Sequence, residues 1–156
     1  AVVQEISRSR MIEQLREQLI ADEGCINYVY LDHLGYKTVG IGHLCRESDP
    51  ENDMVVGTPV SDERIQELFD RDMSWTFRDC TRLLPEFNEL PEEVRLIVAN
   101  MMFNLGATRM AGFKKFLAAV EQKDWNSAAV EMADSKWHRQ VPERSGRLIE
   151  RMKALA

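Results

Sequence analysis

Two carboxylates, Glu23 and Asp32, stand nine positions apart, and the hydroxyl of Thr38 follows six positions later. Paired carboxyl groups suit acid–base cleavage of a glycosidic bond. One protonates the leaving oxygen while the other activates water or stabilises the positive charge growing on the sugar. Their separation in space is roughly 6.5–9.5 Å in inverting enzymes and about 5–5.5 Å in retaining ones. Spacing along the chain does not choose between these. Glu23 is followed at once by Gly24, a residue type that commonly ends helices. A carboxylate there meets the negative end of the helix dipole. That position is expected to favour the protonated form that a general acid needs. The competing reading is an ordinary surface acid in a fraying last turn. Asp32 is open to an equally plain reading, since Asp is common beside turns.

Two kinds of element must position these side chains. Residues 9–22 place Met11, Ile12, Leu15, Leu19 and Ile20 at helical spacing, with Ser7 or Ser9 as candidate caps. The period changes over residues 28–42. Tyr28, Tyr30, Val39 and Ile41 suit short strands, and His33-Leu34-Gly35 suits the turn between them. A helix end therefore runs into a hairpin, which permits the two acids to face each other. Gly40 and Gly42 fit strand kinks or a close approach to the backbone. Gly40-Ile41-Gly42 lacks the third glycine and the following amphipathic helix of a dinucleotide fingerprint.

Residues 45–60 contain Pro50, Gly57, Pro59 and many acids, and predict an irregular loop. Ser61-Asp62-Glu63-Arg64 opens a helix marked by Ile65, Leu68, Phe69, Met73, Phe77 and Cys80, running to about residue 80. A helix of some twenty residues spans about 30 Å, enough to link two lobes. After Leu83 the pattern is helical. Pro91 starts a segment ended by Gly106. Others carry Phe113, Phe116, Leu117 and Val120, then Trp125, Ala128, Ala129, Met132 and Ala133, then Ile149 and Met152. The short connections turn neighbouring helices back on one another. The expected class is α+β and mainly helical. It has a small hairpin lobe at about 12–60, a connecting helix at about 62–80 and a larger helical lobe at about 81–156 that packs with the N-terminal helix.

The 156 residues carry a net charge of −6. Residues 47–93 hold fourteen acids against four arginines, whereas residues 134–156 hold six basic side chains against three acids. The acidic balance speaks against a general nucleic-acid binder. The basic end suits an anionic polymer such as a cell wall, although each charged stretch is also readable as solvated helix faces. No apolar run reaches the roughly 18 residues of a membrane span, and Ala1-Val2-Val3-Gln4-Glu5 shows no export signal. Cys25, Cys45 and Cys80 are odd in number and widely spaced, which predicts free thiols and a reducing compartment. His33, His43 and His138 are scattered with no ligand set at a recognised spacing, so neither a metal nor a cofactor is expected.

Asp22-Glu23-Gly24, Tyr30-Leu31-Asp32, Gly35-Tyr36-Lys37-Thr38 and Gly40-Ile41-Gly42-His43-Leu44 together resemble the phage T4-type lysozyme family, which cuts bacterial peptidoglycan. The resemblance continues through Phe103-Asn104-Leu105-Gly106, Ala111-Gly112-Phe113, Trp125-Asn126-Ser127-Ala128-Ala129, Ser135-Lys136-Trp137 and Gln140-Val141-Pro142-Glu143-Arg144, and covers roughly residues 12–153. It implies a two-lobe lysozyme-like fold. It also implies Glu23 as general acid, Asp32 as the group that activates water or stabilises the oxocarbenium-like state, and Thr38 as the placer of that water. Gly42, Leu44, Phe103, Asn104, Lys136, Gln140 and Arg144 would bind substrate, and His43 would pair with Asp72. Phe103 is also readable as core packing, and Trp137 as core. Arg144, Arg147 and Arg151 share spacings of three and four, so a solvated basic face competes with a carboxylate grip by Arg144.

The resemblance has departures. Only seventeen residues separate His43 from Ser61, so a small helix of the first lobe is expected to be missing. Phe116, Glu131 and Lys136 replace a serine, an asparagine and an arginine at or near the cleft, which bears on stem-peptide preference. The implied activity is hydrolysis of the β-1,4 bond between N-acetylmuramic acid and N-acetylglucosamine, by a monomer. It would wait in the host cytoplasm until a holin opens the membrane, then act in the periplasm and cell wall. A virion-associated form, a lytic transglycosylase and a non-catalytic wall-binding or virion structural module are the alternatives. Retention of Asp32 and Thr38 speaks against the transglycosylase.

Overall fold

The structure is a computed structural model that describes the backbone of residues 2–156 and the side chains of residues 8–156. It divides into two compact units, Ala1–Trp75 and Thr76–Ala156. The fold is α+β and mainly helical, with one small antiparallel sheet.

In the first unit, α1 spans Val2–Glu23. It starts before residue 9, so Ser9 lies inside the helix and does not cap it; the Ser7 side chain lies outside the described residues. Met11, Leu15 and Leu19 are buried on one face, as their spacing predicts. Gly24 stops the helix. Its φ is +80°, a conformation that favours a residue without Cβ, and its N–H donates to Ile20 O at 2.8 Å.

The chain then enters β1 (Ile26–Leu31), β2 (Lys37–Gly40) and β3 (His43–Leu44), paired in that order. Tyr30 faces Thr38 and Leu31 faces Lys37 across the first ladder, and Val39 faces His43 across the second. The loop at 45–60 is more ordered than its composition predicts. Pro50–Asp53 form a single 3-10 turn, whose end is fastened by Lys37 Nζ donating to Asn52 O and Met54 O, both at 2.8 Å. Gly57–Val60 then cover the free edge of β1 through Gly57 N–H to Val29 O, Val29 N–H to Thr58 O and Val60 N–H to Asn27 O.

The next helix, α2, spans Asp62–Leu83, three residues beyond the expected end. Ser61 Oγ accepts from Arg64 N–H at 3.1 Å, which satisfies one orphan donor of its first turn. The predicted stripe from Ile65 to Cys80 is buried.

The second unit is helical: α3 (Glu92–Leu105), α4 (Ala107–Ala111), α5 (Lys114–Glu121), α6 (Trp125–Ala133), α7 (Lys136–Gln140) and α8 (Pro142–Lys153). Every residue from Leu96 to Met102 is buried, so α3 forms the centre of this core. Packed pairs include α5 with α6, α6 with α8 and α3 with α8. Asp124 and Ser135 cap α6 and α7 through Ser127 N–H and His138 N–H. Among the described residues no helix is long and apolar enough to cross a membrane.

All three cysteines are free thiols: Cys25 is exposed, Cys45 half-buried and Cys80 buried. Burial, with help from Asp79, pushes the Cys80 thiol well above its ordinary pKa. Burial, then Asp49 and Glu51, raise Cys45 as well. In a thiol-reactive dye assay at pH 8, Cys25 is therefore expected to react first and Cys80 only on unfolding. Fewer than three reactive thiols after denaturation without reductant would contradict the free-thiol assignment.

Candidate active site

Glu23 is the last residue of α1, half-buried, and its side chain packs against the backbone of Gly42. A Cβ placed on Gly42 would lie 3.0 Å from Glu23 Oε2 and 3.1 Å from Glu23 Cβ. Gly42 also has φ +57°. Only glycine combines that backbone with such a close approach. The sequence motif left Gly42 as a kink or a close-contact residue; the contact is with the carboxylate itself.

Asp32 follows β1 and organises the hairpin turn. Its Oδ1 accepts from Leu34 N–H and Tyr36 N–H, both at 2.9 Å. The Tyr36 amide is the main cause that holds the Asp32 carboxyl below its usual pKa, with Leu34, His33 and Gly35 adding to it against a desolvation cost. Thr38 is buried on β2 and donates its hydroxyl proton to Tyr36 O at 3.0 Å. Its cross-strand partner Tyr30 is half-buried. Burial first, then the charges of Glu23 and Asp32, raise the Tyr30 pKa, so this phenol shares a field with both acids. Tyr30 stands in the Tyr30-Leu31-Asp32 motif without an assigned role; its register opposite Thr38 gives it a place at the site. Leu44 is exposed on β3.

Beside this site lies a buried cluster of charges. His43 is 3% exposed and meets two carboxylates, Asp72 through Nδ1 at 2.6 Å and Asp49 through Nε2 at 2.8 Å. Asp49 also accepts from Arg46 N–H at 2.9 Å and from Arg71 Nη2. Arg64 grips the buried Glu51 with Nε and Nη2, at 2.9 and 3.0 Å. Burial works to lower the His43 pKa, but Asp72 and then Asp49 outweigh it and the net shift is upward. Burial likewise works to raise Asp49, but the Arg46 amide, His43 and Arg71 bring it down to about 2. The reading of the acids in 47–93 as solvated faces is thus corrected at Asp49 and Glu51, because Arg64, Arg71 and His43 neutralise them inside the unit. Arg46 also lies over the Trp75 ring, 3.7 Å from its centroid. Among the described residues no group of acids, histidines and cysteines could hold a metal ion.

The second unit carries the other candidates. Phe103 and Asn104 are both half-buried near the end of α3, so Phe103 is not plain core. Trp137 is buried and its Nε1 donates to Asn104 Oδ1 at 2.7 Å, which fixes the amide. Gln140 is exposed and accepts from Arg109 Nη2 at 2.9 Å. Lys136 lies on the rim of an open depression of about 570 Å³ that Phe116, Glu131 and Trp137 also line. The three side-chain departures from the family pattern, Phe116, Glu131 and Lys136, thus share one pocket.

Arg144 is 8% exposed, and its Nε donates to Asn100 Oδ1 at 3.0 Å. The solvated-face reading is corrected here: Arg144, Leu148 and Met152 follow one another by four residues on the buried face of α8. Arg151 is likewise engaged, donating twice to Glu93 of α3 at 3.0 and 2.7 Å. Arg147 is exposed.

The sequence model of the phage lysozyme family matches residues 21–154. The chain belongs to the phage lysozyme family. As a phage lysozyme family member it is 32% identical to the probable T4-type lysozyme 2 of Dictyostelium discoideum, over 89% of this chain and 93% of that one. It is 30% identical to the pre-baseplate central spike protein Gp5 of Enterobacteria phage T4, over 86% of this chain but 26% of the spike protein. It is 27% identical to the peptidoglycan hydrolase gp36 of Pseudomonas phage phiKMV, over 88% of this chain and 15% of that one. The family match includes Glu23, Asp32 and Thr38 in one unit and the second-unit candidates alike.

Proposed function

We propose that the chain is an N-acetylmuramidase that hydrolyses the β-1,4 bond between N-acetylmuramic acid and N-acetylglucosamine in bacterial peptidoglycan. The observation that carries the reading is the packing of Glu23 on Gly42 in the same unit as Asp32, which stays ionised by accepting two backbone N–H groups. Glu23 donates the proton to the leaving oxygen. Asp32 activates water or stabilises the positive charge on the sugar. Thr38 has spent its proton on Tyr36 O, so its oxygen meets the water as an acceptor. Gly42, Leu44, Phe103, Asn104, Lys136, Gln140 and Arg144 are the proposed substrate contacts, with stem-peptide preference set around Lys136, Phe116 and Glu131. Membership in the phage lysozyme family and the names of the relatives support this reading.

The test is digestion of purified peptidoglycan in ¹⁸O-labelled water. Hydrolysis is expected to put one label on each new reducing end. Anhydro ends without label would replace the hydrolase by a transglycosylase. Absence of any cleavage by folded protein, with permeabilised Gram-negative cells left turbid, would favour a non-catalytic wall-binding module.

Gly42 offers a second check. Gly42→Ala introduces a methyl group at the Glu23 carboxylate and strains a positive φ. A misplacement near 1 Å costs about 10²-fold in rate, and a loss of that order is expected in wall-clearing assays. Activity within twofold of wild type would separate Gly42 from the chemistry.

For the biological setting, we propose a monomeric endolysin held in the host cytoplasm until a holin opens the membrane, then acting in the periplasm and cell wall. A virion-borne role is the second reading, favoured by the likeness to one part of a longer baseplate spike protein. Mass spectrometry of purified particles separates the two: a chain found only in the lysate supports the endolysin.

A further inference from the structure

The Glu23 side chain ends α1 against a turn, and a buried cluster of ions adjoins that turn. The Glu23 side chain rests on Gly42, and His43 is the next residue. The His43 ring is buried and clamped on both nitrogens, by Asp72 on α2 and by Asp49 in the loop. Asp49 has none of its side chain exposed and is itself held by Arg46 N–H and Arg71. A backbone turn with φ +57° at Gly42 has little intrinsic preference to stay where it is. The Val39–His43 pair of the β2–β3 ladder closes the turn, and two short charge-assisted bonds to the adjacent ring add to its hold.

We propose that Asp49 is a positioning residue for the general acid: by clamping His43 it fixes the Gly42–His43 turn against the Glu23 carboxylate. This rests on the assignment of Glu23 as general acid. Asp49 touches neither Glu23 nor substrate, and acts through His43 and the backbone of Gly42. Catalytic groups are sensitive to such support, because displacements near 1 Å cost about 10²-fold in rate. Glu51 provides the internal control. It is nearly as buried as Asp49 and bound to the same helix through Arg64, which also lies 4.0 Å from Asp49 Oδ1, but it makes no hydrogen bond or ion pair with His43.

The experiment compares Asp49→Asn with Glu51→Gln at 15 °C, with folding checked by circular dichroism, on a soluble muramyl oligosaccharide. Asp49→Asn is expected to lower kcat about tenfold with KM within twofold, while Glu51→Gln lowers the unfolding temperature and leaves kcat within twofold. If Asp49→Asn does not fold, Asp49→Glu keeps the charge and shifts the carboxylate by one methylene, and the same loss of kcat is expected. An unchanged kcat in the folded Asp49 variant, or an equal loss in Glu51→Gln, overturns the proposal. A second readout needs no activity: the side-chain carboxyl ¹³C titration of Glu23 should move in the Asp49 variant and stay in place in Glu51→Gln. Should wild type prove inactive, the functional reading fails, and this titration still decides whether Asp49 controls the setting of Glu23.

Discussion

Glu23→Gln should lose nearly all glycosidase activity while keeping its fold. The amide is close in size to the carboxyl and keeps the packing on Gly42, where the approach is as short as 3.0 Å to a built Cβ. What it lacks is a proton to give. General acid catalysis is worth about 10²–10⁴-fold, and a lone Asp32 does not replace it, since its turn amides hold it ionised. Clearing of permeabilised cells, with near-UV circular dichroism on the same sample, checks both halves of the expectation. Activity within twofold of wild type would remove Glu23 from the mechanism. Asp32→Asn is the informative partner. Its amide oxygen can still accept from Leu34 and Tyr36, so the turn should persist while the charge is lost.

Glu23, Gly24 and the hairpin were legible because each carries a local signal. A helical stripe ends at a glycine, the period changes to two, and a turn follows whose Asp serves its own backbone. Family resemblance supplied the roles; spacing alone allowed Glu23 and Asp32 to remain surface acids. The charge cluster was not legible. Asp49 and Glu51 sit among prolines and acids in a segment with every mark of a solvated loop, and their burial depends on Arg64 and Arg71, thirteen to twenty-two positions away. Only His43 with Asp72 was expected, and Asp49 completes it from the other side of the ring. The five-residue helices Ala107–Ala111 and Lys136–Gln140 are too short to show a period. Arg144 stayed open between two readings because arginines three and four apart suggest a polar face, whereas the apolar residues Leu148 and Met152 mark the buried one.

The cluster around His43 should give stability a distinct dependence on pH. Both ring nitrogens meet carboxylates, so both carry protons and the ring is an imidazolium. Its pKa is raised on folding, so its contribution is complete below the unfolded value of about 6.5 and fades as pH climbs through the folded one. Asp49 runs the opposite way. Its pKa falls on folding to about 2, so its contribution is complete above about pH 4 and is lost as pH drops toward 2. Both contributions are therefore in place between about pH 4 and 6.5. Asp49→Asn turns an amide N–H toward the His43 Nε2–H or leaves Arg71 unpaired, and removing one partner of a buried ion pair costs about 3–5 kcal/mol. Urea unfolding at pH 5 is expected to show that loss. At pH 9 the unfolded imidazole is neutral, so part of the contribution of the raised pKa is already gone from the wild type and the loss should be smaller. Asp72→Asn should follow the same trend with a lesser loss, since Asp72 is 13% exposed against 0% for Asp49. Equal losses at pH 5 and pH 9 for both variants would show that Asp49 and Asp72 do not raise the His43 pKa, and the stabilising role of the cluster would fall to the arginines alone.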